Sequence, residues 1–147
     1  MKKIILALSL AITMTASSAF AEGKSIPARA LASFKTEFSE AQEINWTTGD
    51  DYYVAKFVLH GQNIFAYYTP DGDYLSTLRY ISTLQLPINL LRELKNDYNS
   101  YWVSNLIEVG NSDGTTYYVT LENADKKITL KSKNSGYWDS YSKKQKA

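Results

Sequence analysis

The stretch Tyr52–Tyr74 reads YYVAKFVLHGQNIFAYYTPDGDY. Two runs of strand-forming residues, Tyr52–Leu59 and Asn63–Thr69, flank a short His60-Gly61 turn, and Pro70-Asp71-Gly72-Asp73 closes the second run. Gly61 supplies a positive φ, while Pro70 and Gly72 suit a type I or II turn, so the stretch predicts a β-hairpin leading into another turn. A shift of 64 residues brings the pattern back. Tyr53, Ala55 and Phe57 fall on Tyr117, Val119 and Leu121; Ile64 falls on Ile128, Ala66 on Leu130, Gly72 on Gly136 and Tyr74 on Trp138. One gapless offset over more than twenty residues points to a duplicated unit.

Upstream, Pro27 opens a segment in which Leu31, Phe34 and Phe38 share one helical face, predicting an amphipathic helix over about Pro27–Glu40, with a possible cap at Ser25. Glu43–Thr47 alternates as a strand should, and Thr48–Asp51 is turn chemistry. Tyr74–Ser82 reads as a fourth strand. Pro87 then restarts the scheme 60 residues after Pro27, with Leu91, Leu94 and Tyr98 on the matching positions of a helix over about Pro87–Asn99. Trp102–Val109, Thr115–Glu122, Lys127–Lys133 and Tyr137–Ser142 follow as strands, with Asn111–Gly114 as a turn.

The first 21 residues predict a signal peptide. Lys2 and Lys3 precede the apolar run Ile4–Ile12, and Ala19-Phe20-Ala21 is an A-x-A cleavage site. The apolar run is too short to span a bilayer, so no membrane insertion is expected after cleavage. The mature chain, residues 22–147, is expected in the periplasm or outside the cell. It has no cysteine, so it folds without disulfides and carries no lipid anchor at a cysteine. With Lys2 and Lys3 gone, 14 basic residues face 15 acidic ones, a net of −1, which is no footprint for nucleic-acid binding. Lys143, Lys144 and Lys146 read as a frayed, solvated tail.

The inventory for chemistry is thin. The single histidine, His60, sits at a turn, and without cysteines it builds no zinc site. No G-x-S-x-G is present. Asn111-Ser112-Asp113-Gly114 resembles part of a calcium loop but has Val109 at the first ligand position and Thr120 where Glu is required. The acidic turns Asp50-Asp51 and Asp71–Asp73 would hold a weak cation only if they met. The expectation is no enzyme, no catalytic residue, no metal and no cofactor.

Face assignment decides the candidate surface. Lys56 does not belong under a helix, because burying an unpaired ammonium is expensive. That places Tyr53, Ala55 and Phe57 in the core, and Tyr52, Val54, Lys56 and Val58 on the other face. In the next strand Ile64, Ala66 and Tyr68 go inward, while Phe65 and Tyr67 go outward. In the second hairpin Tyr118, Thr120, Thr129 and Lys131 go outward. A cluster of exposed aromatic residues with lysines suits recognition, giving large contact area at low entropic cost. The candidate partner-binding residues are Tyr52, Lys56, Phe65, Tyr67, Tyr118 and Lys131. Tyr and Phe are also good strand residues in their own right, and cross-strand pairs of them stabilise a solvent-facing sheet without any partner.

These residues are similar to the PepSY-like family related to the β-lactamase inhibitor proteins. The resemblance lies in Ile44-Asn45-Trp46 before Tyr53–Phe57, in Ile64–Tyr68 with Asp71-Gly72-Asp73, in Leu86-Pro87 opening the second helix, and in Tyr117–Leu121 repeating the hairpin. It covers nearly all of the mature chain through short motifs. It implies a curved eight-stranded sheet, helices on the convex side and a concave face open to a partner. In the inhibitors that face, with a hairpin loop inserted into the target's active site, binds class A β-lactamases. Here the corresponding connection, His60-Gly61, is short and has no acidic residue, and the inhibitors' paired cysteines have no counterpart. The resemblance therefore carries over the surface and no inhibitory residue.

The expected fold class is α+β: two tandem helix-plus-four-stranded antiparallel sheet repeats, about 25–82 and 85–142, forming one curved sheet with helices on one face. The expected function is an exported, non-enzymatic module that recognises a protein or peptide in the cell envelope. The alternative is a small-ligand or envelope-sensing protein that uses a groove between the repeats.

Overall fold

The computed structural model describes residues 25–134 and 136–146, so the expected signal peptide lies outside the described residues. Helix α1 spans Ala28–Glu37 and helix α2 spans Ile88–Asp97. Pro27 and Pro87 themselves occupy the N-cap positions, with φ of −58° and −50° and no side-chain cap, so Ser25 plays no capping part. Proline's fixed φ suits helix entry, and its missing N–H is one that a first turn leaves unbonded anyway.

The strands are β1 Gln42–Thr48, β2 Tyr53–Leu59, β3 Gln62–Tyr68, β4 Tyr74–Tyr80, β5 Trp102–Asn111, β6 Gly114–Glu122, β7 Lys126–Lys133 and β8 Asp139–Gln145. His60 at φ 49° and Gly61 at φ 77° form a two-residue turn that sets Leu59 opposite Gln62. Successive positive φ values give the turn the right-handed twist that the flanking strands need. β4 stops before Ser82 because the Ser82 N–H donates to Oε1 of Gln85, at 2.9 Å, and opens a 3-10 turn over Thr83–Gln85.

The expectation of two tandem helix-plus-four-strand repeats is overturned. All eight strands pair in sequence order, each antiparallel to the next, in a single sheet with only two helices. Strands make up 51% of the structure, which makes this a sheet with helices laid on it rather than two helix-plus-sheet units. β4 continues directly into the sheet through Thr77–Tyr80 paired with Ile107–Gly110, because an edge strand's unbonded backbone groups gain by finding a partner. Nor do the strands that follow the two helices match. β1 has seven residues, six of them exposed, whereas β5 has ten and buries Leu106 and Ile107.

Both helices lie on one face. Ala30 and Phe34 of α1 pack with Ala55, Phe57, Ala66 and Tyr68. Leu90 and Leu94 of α2 pack with Leu106, Val119, Leu121, Ile128 and Leu130. The expected stripe on α1 holds at Phe34 and Phe38 and fails at Leu31, which is 42% exposed while Ala30 beside it is fully buried. A small residue lets the helix come close. Gly72 lies against the Arg29 backbone, and the Ser33 hydroxyl donates to the Gly72 carbonyl at 2.7 Å. α2 is tied down comparably by Trp138, whose indole N–H donates to the Leu90 carbonyl at 3.0 Å.

The Lys143–Lys146 segment is also not a frayed tail. Lys143 and Lys144 belong to β8, paired with Ile128 and Lys127. The Lys146 N–H donates to the Asp125 carbonyl, and its ammonium reaches the Asn123 carbonyl and Glu122, each at 2.8 Å.

Candidate functional site: the open face of the sheet

Side chains paired across antiparallel strands share a face, so the register defines the side opposite the helices. One row runs Asn45, Lys56, Phe65, Leu78, Val109, Thr116, Lys133. The next runs Tyr80, Ile107, Tyr118, Lys131, Asp139. Val54, Tyr67 and Ser76 form a third. Neither helix covers this face.

The six residues singled out from the sequence are all found here. Tyr52 precedes β2 rather than lying in it, and its ring packs 5.9 Å from that of Tyr67 and flat against Gly49. Lys56 is exposed; Phe65, Tyr67, Tyr118 and Lys131 are half-buried. The Lys56 ammonium stands 6.0 Å over Phe65, and that of Lys131 stands 5.6 Å over Tyr118 and 6.0 Å over Tyr141. Burial, and then the neighbouring Tyr52 and Tyr80 hydroxyls, push the Tyr67 phenol above its ordinary pKa.

Four residues of this surface were not anticipated. Tyr80 packs edge-on to Phe65 at 6.3 Å, and Tyr141 edge-on to Tyr118 at 5.4 Å. Leu78 and Ile107 form a floor between these rings, 5% and 1% exposed although no helix lies over them. Each sits directly opposite an aromatic residue in the register, Leu78 beside Phe65 and Ile107 beside both Tyr80 and Tyr118. The adjacent apolar pair Leu106-Ile107 held the clue: neighbours in a strand point to opposite faces, so both faces are apolar there.

Elsewhere the chemistry is sparse. His60 Nε2 meets a Glu40 carboxylate oxygen at 3.1 Å, but both side chains are about three-quarters exposed. They border an open hollow with Ser39, Ala41 and Gln42. Among the described residues no group of three or more His, Asp or Glu side chains that could hold a metal ion assembles, at the acidic turns or elsewhere. On the helix face, the seam expected to hold a small-ligand groove is crossed by Arg79, which bonds both Glu108 and Gln62. A shallow apolar groove does run between α2 and β5, lined by Leu91, Leu94, Tyr98 and Val103. Among the described residues no helix is long and apolar enough to cross a membrane.

This arrangement of one eight-stranded antiparallel sheet with two helices on one face has solved counterparts. A BLIP-like protein from Bacteroides fragilis superposes with a TM-score of 0.71 at 23% identity, covering 84% of this chain and 89% of that one. The chain has a BLIP-like fold. A DUF2874 family protein from Bacteroides ovatus shares it, with a TM-score of 0.72 at 20% identity, covering 84% of this chain and 89% of that one. So does a candidate periplasmic protein from Bacteroides eggerthii, with a TM-score of 0.70 at 17% identity, covering 82% and 89%. At these identities the likeness is one of fold. The sequence matches no protein-family model, and no curated protein matches it.

Proposed function

We propose that this chain is an exported, non-enzymatic binding module that holds a protein or peptide of the cell envelope against its open sheet face. One observation carries the reading: an aromatic and lysine-bearing face, with a dry floor of Leu78 and Ile107, lies on the side that both helices leave free. The rings supply buried area and the ammonium groups steer acidic partners. The BLIP-like fold and the neighbour thought to be periplasmic support it, as does the PepSY-like resemblance of the sequence. Export rests on the signal peptide read at Met1–Ala21, which places the mature chain in the periplasm or the medium.

The test is the double substitution Phe65→Ser, Tyr67→Ser. Both residues lie outside the helix-packed clusters. The melting temperature is expected to stay within a few degrees of the parent, while capture of the envelope partner by the immobilised protein is lost. Retained capture, or collapse of the fold, overturns the assignment.

A further inference from the structure

We propose that the open face takes a partner segment that is apolar in its middle and carries a carboxylate toward each end, the two acidic ends falling on Lys56 and Lys131. This deepens the open-face reading above and rests on it. The argument starts from the cations. Arg79, Lys127 and Lys146 are each matched to a carboxylate, at Glu108 or Glu122. Lys56 and Lys131 are not: among the described residues no carboxylate lies within ion-pair distance of either. Instead their ammonium groups stand over aromatic rings, Lys56 over Phe65 and Lys131 over Tyr118 and Tyr141. A ring face positions a cation without neutralising it, so each lysine is set in place outside any salt bridge, although Asp139 stands across the β7–β8 pairing from Lys131.

Between them the surface offers no acid. The two register rows that join their strands carry Phe65, Leu78, Val109 and Thr116 in one and Tyr80, Ile107 and Tyr118 in the other, apolar or aromatic but for the uncharged Thr116. The spacing is set by the sheet. Lys56 on β2 and Lys131 on β7 are five strand intervals apart, or about 24 Å along the sheet at roughly 4.8 Å per interval. A helix of about 16 residues covers that length at ~1.5 Å per residue. A segment without carboxylates would leave both cations unanswered, and one with acids in its middle would bury them on the Leu78–Ile107 floor, which is costly.

The probe is a hydrocarbon-stapled helical peptide of about 18 residues with an apolar face and glutamates at both ends. Its control has lysines in place of the glutamates. Binding is read by fluorescence anisotropy against the parent protein and against Lys56→Glu, Lys131→Glu, with thermal melts to confirm folding. The acid-ended peptide is expected to bind the parent at least tenfold tighter than the control. The preference should invert in the charge-reversed variant and weaken with added salt. Equal affinity for the two peptides, no binding of the acid-ended one, or an unchanged preference in the variant overturns the proposal. The native partner separates this failure from the broader one. If Phe65→Ser, Tyr67→Ser abolishes its capture and charge reversal does not, the two-carboxylate pattern is wrong and the open-face reading stands. If neither change affects capture, both fall.

Discussion

The Arg79 guanidinium donates to both carboxylate oxygens of Glu108, from Nε at 2.8 Å and from a terminal nitrogen at 3.1 Å. The two residues face each other across the β4–β5 pairing, on the helix-covered face between the two apolar clusters. The hydrogen bond to Glu108, ahead of the opposing effect of burial, raises the guanidinium above its ordinary pKa. This forked pair is the polar stitch at the middle of the sheet, where neither α1 nor α2 supplies apolar cover. Its side chains are 32% and 19% exposed, so water screens it in part. Arg79→Ala is expected to destabilise the fold by about 1–2 kcal/mol, and Arg79→Lys by less, since lysine keeps the charge but not the fork. A double-mutant cycle with Glu108→Ala, followed by urea denaturation, should give a coupling of about 1 kcal/mol. Zero coupling would mean that the ion pair adds nothing to the backbone ladder and the apolar contacts that join β4 to β5.

Two glycines with similar backbone angles should respond very differently to alanine. Gly72 has φ 89°, and a Cβ there would stand 2.7 Å from the Arg29 carbonyl carbon, in the backbone of α1. Gly61 has φ 77°, and a Cβ there meets nothing within 4 Å. Gly61→Ala therefore incurs only the left-handed backbone penalty, about 1 kcal/mol. Gly72→Ala adds a displacement of α1 from the sheet and should cost at least twice as much. Parallel thermal melts of the two variants check the ranking, and equal losses would refute the close helix approach.

That comparison shows where the sequence was readable. Period-two alternation and a costly buried ammonium were enough to place Lys56 and Lys131 on the uncovered side, because both signals are local. The His60-Gly61 hairpin was legible for the same reason. The α1 stripe was legible at Phe34 and Phe38 but not at its first position, because hydrophobicity favours Leu31, while the sheet face formed by Ala55, Phe57, Ala66 and Tyr68, a tertiary fact, takes Ala30. The tandem-repeat reading failed because an internal sequence offset says nothing of strand pairing. Whether β4 ends a unit or meets β5 depends on contacts between Thr77–Tyr80 and Ile107–Gly110 that no local pattern encodes. Leu78 and Ile107 escaped notice because their burial comes from rings on neighbouring strands.

Ser132 gives a prediction of the opposite sign. Its side chain is fully buried, and its hydroxyl has no hydrogen-bond partner among the described residues. It sits opposite Tyr117 on the face packed by α2. A buried hydroxyl without a partner has lost its water and gained nothing in exchange. Ser132→Ala removes that loss and leaves almost no void, so it should raise stability by about 1 kcal/mol in urea denaturation. A fall in stability would reveal an internal water bonded to the hydroxyl.

The last prediction concerns acid. Two ammonium groups converge on Glu122, that of Lys146 at 2.8 Å and that of Lys127 at 3.2 Å, with the Ser104 hydroxyl nearby. Hydrogen bonds from Lys146, Ser104 and Lys127, in that order, hold its carboxyl down at about 2, against an ordinary 4.5. A carboxylate with a depressed pKa binds fewer protons folded than unfolded, so its contribution is complete above the unfolded value and disappears as pH falls through the folded one. Lys146 also stacks 4.8 Å over Trp102, so the node fastens the end of β8 to β5 and β6. Glu122→Gln should therefore be less stable than the parent at pH 7. The gap should hold down to about pH 4.5 and narrow between there and about pH 2 as the parent's own carboxylate takes up its proton. Denaturant titrations of both proteins at stepped pH measure that gap directly. A difference that stays constant across the window would show that Glu122 acts through packing rather than through its charge.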